Sequence, residues 1–92
     1  MNSIVQEDPG RCYLCGSRIG LERHHIFAGT ANRRVSERLG LWVMLCHKCH
    51  TGTEGAQYDP IKNKRLKMDA QYAYERTHTR LEWMREIGKN YL

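Results

Sequence analysis

Three features of the sequence predict a small α+β domain stabilised by zinc and finished by a long C-terminal helix. Two cysteine pairs share one spacing, Cys12-x2-Cys15 and Cys46-x2-Cys49. The apolar run "LWVML" has strand length and leads straight into the second pair. The last third of the chain repeats apolar residues at helical intervals. With 92 residues the chain is one domain's worth, and so short a domain buries only a modest core. A structural metal is a common reinforcement at this size.

Residues 1–10 are expected to form a flexible lead-in closed by Pro9-Gly10, ahead of a single domain over 11–92. No basic segment followed by an apolar stretch opens the chain, so no secretory leader is expected. No apolar run approaches membrane-spanning length, so no membrane partner is expected either. In "RCYLCGSRIG" the first cysteine pair brackets a tight turn, and Gly16 and Gly20 permit unusual backbone angles. "ERHHIF" reads as a short strand ended by "AGT". "ANRRVSERLG" reads as a short helix that Gly40 stops. After His50 the glycine-rich "TGTEGAQY" has no period. Asp59-Pro60 then supplies an N-cap and a first-turn proline. Leu66, Ala70, Ala73, Thr77, Leu81, Met84 and Ile87 advance by threes and fours, which predicts one helix over about 60–87. So long a helix has apolar surface to offer a second copy, as a homodimer contact, or to its own core.

Two-residue spacing lets both thiolates of a pair face one ion, and two such pairs complete a tetrahedral site. Cys12, Cys15, Cys46 and Cys49 are therefore the expected ligands of a structural Zn2+, with no cysteine left over. A redox role for the pairs lacks a surrounding βαβ pattern. A leaderless chain with this cysteine usage fits a reducing cytoplasm. Its net charge of +5 suits a polyanionic partner such as DNA.

Four of the five histidines fall between positions 24 and 50, and the cysteines leave them free for a second site. Neighbours on a strand point to opposite faces, so His24 and His25 should do different things. Arg33, Arg34 and Arg38, around the short helix, are candidate phosphate contacts. Lys62, Lys64, Arg65 and Lys67 form a second basic run, either solvated or in contact with phosphate.

The order of these motifs, C-x2-C, then "HH" on a short strand, then "LC-x2-CH", resembles the HNH endonuclease family. It is most similar to small zinc-stabilised phage and restriction-type members, and "GKNYL" is similar to small phage proteins of that family. The resemblance implies a ββα-metal, treble-clef-like core, with the motifs over 12–54. It implies a metal-dependent DNA endonuclease, phage or prophage encoded and acting in the bacterial host cytoplasm. His24 takes the position of the first catalytic metal ligand and His50 that of the closing one. His25 takes that of the general base, which activates water to leave a 5′-phosphate and a 3′-hydroxyl. Glu54, one helical turn past His50, matches a further ligand position. The usual asparagine position holds Leu41, Trp42, Val43 and Met44 instead, leaving Asn32 to orient the loop or to serve as an N-cap. Two imidazoles suit zinc, nickel or manganese, whereas magnesium prefers carboxylates. The alternative is a catalytically inactive zinc-containing DNA-binding module on the same scaffold.

Overall fold

The computed structural model describes all 92 residues. Six elements follow in order: β1 (Leu21–His25), α1 (Thr30–Leu39), β2 (Trp42–Cys46), α2 (His47–His50), α3 (Pro60–Tyr74) and α4 (Arg80–Glu86). This is a small α+β domain, with a two-stranded antiparallel sheet and four helices. No helix is long and apolar enough to cross a membrane.

The sheet sets the geometry of everything else. Leu21 lies opposite Cys46, His24 opposite Val43 and His25 opposite Trp42. Helix α1 joins the strands and stops at Gly40, whose φ of 75° belongs to the left-handed region that glycine reaches freely. A Cβ at Gly40 would also meet the Asn2 carbonyl at 2.3 Å, so close approach requires glycine here as well.

That approach reflects how the first residues are placed, which corrects the expectation of a flexible lead-in. The edge of β2 that faces away from β1 needs partners for its backbone groups. Ser3 donates to the Trp42 carbonyl (2.5 Å), and the Met44 amide donates to the Gln6 side chain (2.8 Å). The Ile4 amide donates to the Gly40 carbonyl (2.9 Å), while Tyr13 donates to that of Met44 (2.8 Å). Residues 1–6 thus cover the sheet edge, and the Gln6 side chain is buried there.

The C-terminal region corrects a second expectation. The single helix over 60–87 is two helices, α3 and α4, with a turn over 75–79 between them. Asp59 caps α3 as expected, accepting from the Ile61 amide (2.9 Å). Thr79 starts α4 with a capping box: its hydroxyl accepts from the Glu82 amide (3.1 Å), and the Glu82 carboxylate accepts from the Thr79 amide (2.9 Å). The turn brings Trp83 to full burial against Phe27 and Tyr74, with ring centroids 5.5 Å from each. Burying that indole stabilises by about 3–5 kcal/mol, more than the roughly 1 kcal/mol a cap contributes, so the tryptophan sets the bend. Leu81 and Met84, which a continuous helix would bury, are exposed instead. The homodimer expectation rested on that continuous helix; the exposed apolar residues of α3 are Ile61, Met68 and Tyr72.

The core joins Ile26, Phe27, Leu41, Val43 and Leu45 of the sheet region to Leu66, Ala70, Tyr74 and Trp83 of the two late helices. Gln71, also fully buried, is satisfied: it donates to Asn90 (2.8 Å) and accepts from the Tyr91 amide (2.7 Å). With the Trp83 indole donating to the Lys89 carbonyl (2.8 Å), this fixes residues 89–91 against α3.

Candidate functional site

The four cysteines converge. Cys12 and Cys15 lie on a tight turn, where the Gly16 amide donates to the Cys12 carbonyl (2.9 Å) and Gly16 takes a φ of 81°. Cys46 ends β2 and Cys49 lies within α2. Their sulfurs all lie within 4.8 Å of one another, and Cys15 and Cys46 are 3.6 Å apart. Zn–S bonds of about 2.3 Å in a tetrahedron require S···S edges of about 3.8 Å, so the cluster has the dimensions to hold a metal ion such as zinc. Burial alone pushes the Cys12 thiol up, yet the amides of Cys46, Cys15 and Leu14 outweigh it and bring the thiol down to about 6. Cys49 goes the other way, raised by burial and by hydrogen bonds with Cys46, Cys12 and Cys15. One sulfur is ready as thiolate while another holds its proton, which a bound cation would displace.

His24 and His25 of β1 meet His50 of α2 in a separate cleft, and alternation along β1 gives each its own surroundings. Glu22 and His24 share one face of the strand, Arg23 and His25 the other. On the first face the rings of His24 and His50 meet edge-on, with centroids 5.1 Å apart. His50 directs Nδ1 to the Glu22 carboxylate at 2.9 Å, which leaves Nε2 as its ligating nitrogen. The pair with His50 also holds Glu22 below the usual carboxylate range. His24 is 8% exposed, and its Nε2 is buried with no hydrogen-bond partner. Burial, and then the positive neighbours His50, His25 and Lys67, lower its pKa to about 4. His24 is therefore neutral at pH 7, the form that ligates a metal. An orphaned buried nitrogen is costly unless something occupies its lone pair. His24 and His50 thus offer two adjacent imidazole nitrogens that could serve as donors to a divalent cation.

On the second face, His25 Nε2 lies 2.6 Å from the Glu37 carboxylate of α1. Arg23 pairs with the same carboxylate and lies 3.8 Å above the Trp42 ring. A carboxylate only accepts, so His25 donates from Nε2, and in the neutral imidazole Nδ1 is the nitrogen with the lone pair. His24, His25 and His50 share one cleft of about 430 Å³ with Arg33, Gln57, Asn63 and Lys67. Thr30, Arg33, Arg34 and Glu37, at helical spacing on one stripe of α1, line a neighbouring hollow with His25.

Three sequence-based candidates lie elsewhere. Asn32 is exposed, off the stripe of α1 that faces His25, and makes no hydrogen bond to orient the loop. Arg38 is engaged by Glu86 of α4 at 2.5 Å, a partner that occupies its guanidinium and raises its pKa. Glu54 lines a separate hollow with His47 and Thr53, because α2 ends at His50 and the turns that follow carry the chain off the helical path. Gln57, whose amide donates to the His50 carbonyl (3.2 Å), reaches the cleft instead. His47 is exposed, and His78 stacks on Tyr74 with centroids 4.1 Å apart, so neither joins the cleft.

Sequence reading missed Glu22, Glu37 and Asn63, and it named Lys67 only as part of a basic run, without placing it beside the histidines. The signal for Glu22 was present: it stands two residues before His24 on a strand, hence on the same face. Glu37 meets His25, and Asn63 and Lys67 reach the cleft, only through tertiary packing. Comparison of the chain with protein-family models, curated proteins and solved structures finds no match.

Proposed function

We propose that this chain is a metal-dependent DNA endonuclease of the HNH type, with zinc in the four-cysteine cluster as its structural element. The observation that carries the reading is the buried, unbonded Nε2 of His24 beside the His50 ring, with a carboxylate-oriented His25 one residue away. A surface histidine cluster without function has no reason to leave a buried nitrogen unsatisfied.

His24 and His50 would hold a divalent cation, with Glu22 fixing the orientation of the His50 ring. Such an ion supplies positive charge against the scissile phosphate and the departing 3′ oxygen. His25 takes a proton from water on Nδ1 as that water attacks phosphorus. Glu37 keeps the imidazole in the required tautomer and balances the imidazolium that forms. Arg33 and Arg34 beside this site engage flanking phosphates. Cys46 and Cys49, holding a structural ion with Cys12 and Cys15, would tie β2 to α2 and so help set the position of His50.

A second reading, a zinc-containing DNA-binding module without catalysis, draws on the displacement of Asn32 from the cleft. Relaxation of supercoiled plasmid separates the two. With manganese, nickel or magnesium the wild type should nick, and chelator should stop it. His25→Ala should lower the rate by about 10²–10⁴ with DNA affinity retained. Plasmid bound but uncut under every ion would leave only the binding module.

A further inference from the structure

Beyond the cleft, a second hollow is lined by Asn63, Lys64 and Lys67 of α3 and by Lys89, Asn90, Tyr91 and Leu92. Asn63 and Lys67 line the histidine cleft too, so the two depressions are continuous. The cations divide along α3. Lys62 and Arg65 are paired with Asp59 and Asp69, each at 3.9 Å. Lys64, Lys67 and Lys89 are paired with no carboxylate. Two of these ammonium groups flank the Tyr91 ring, Lys67 at 5.7 Å and Lys89 at 5.3 Å from its centroid. The hollow has a fixed frame, because buried Gln71 holds Asn90 and Tyr91 and the Trp83 indole holds the Lys89 carbonyl.

We infer that this hollow is a phosphate-binding extension of the cleft: a nucleic-acid strand leaving the histidines crosses Asn63 and Lys67, and Lys64 and Lys89 take its next phosphates. Three cations left unpaired around one concavity repel one another and are relieved by a polyanion. The inference rests on the nuclease reading for the direction of the strand, but its test needs no cleavage.

The test is the salt dependence of binding to a fluorescent oligothymidylate and to a duplex of mixed sequence, measured by anisotropy without divalent ions on the zinc-loaded chain. Each phosphate contact contributes about 0.7 to the log–log salt slope for a single strand and about 0.9 for duplex. Lys64→Gln with Lys89→Gln should therefore flatten the slope by about 1.4 or 1.8, respectively. For the single strand, the wild type should then lose about sevenfold more affinity than the double variant between about 50 and 200 mM salt. Both lysines are exposed, so the fold is unaffected, which an unchanged circular dichroism melt confirms. A slope equal to that of wild type on both probes overturns the extension and leaves the nuclease reading untouched. Wild-type binding without salt dependence overturns it as well. A flattened slope in a chain that never cuts plasmid upholds the extension and removes the nuclease.

Discussion

The cysteine cluster and the histidine cleft draw on the same short segments, with Cys49 and His50 adjacent in α2, yet they are built in contrasting ways. The cluster closes on itself: four sulfurs within 4.8 Å use every ligand position of a tetrahedral ion. The cleft is open, with two imidazoles meeting edge-on, a third beside them, and one carboxylate against His50 and another against His25. A saturated site can only hold structure together. An open one would leave room for water and substrate beside any ion it held, and its carboxylates orient the histidines.

The strongest way to break this contrast is to open the cluster. Cys12→Ser should release zinc and unfold the chain, because zinc binding supplies about 10–16 kcal/mol in comparably small zinc-finger peptides. A cooperative melt from a metal-free variant would end the structural role. A milder change separates the two sites. Glu22→Gln removes the carboxylate behind His50, so affinity for manganese or nickel at the cleft should fall about 10–100-fold while zinc content stays the same. Isothermal titration on the zinc-loaded protein measures this, and an unchanged affinity would remove Glu22 from the site. The smallest effect concerns the arginines. Arg33→Gln should lower the salt slope of duplex binding by about 0.9, whereas Arg38→Gln, already engaged by Glu86, should leave it in place. Equal effects from both would mean that the Arg38–Glu86 pair opens on DNA.

The cluster was fully legible in the sequence, since Cys-x2-Cys brings two sulfurs together within a single turn whatever the rest of the chain does. The opposed faces of His24 and His25 were legible for a similar reason: strand alternation is local. Local signals also located both strands, α1 with its Gly40 stop, and the Asp59 cap. The break between α3 and α4 was only half legible. Leu81, Met84 and Ile87 happen to keep the phase of Leu66 and Ala70, so periodicity alone extends one helix through the turn. Thr79-x-x-Glu82 was the sign that a new helix begins, and burial of Trp83 is the force behind it. Glu37 was out of reach, because its meeting with His25 depends on α1 folding back across β1. Asn63 and Lys67 depend in turn on where α3 docks. Glu54 failed as a candidate because the offset from His50 assumed a helix that the two glycines around it do not support.

Native mass spectrometry with a metal titration tests the two-site account most directly. The account predicts one zinc per chain that survives mild chelation, and one manganese or nickel ion that binds reversibly. His24→Ala and His50→Ala should each abolish the second ion and leave the zinc in place. A second ion that binds equally well to both variants, or zinc lost to mild chelation while the fold persists, would contradict it.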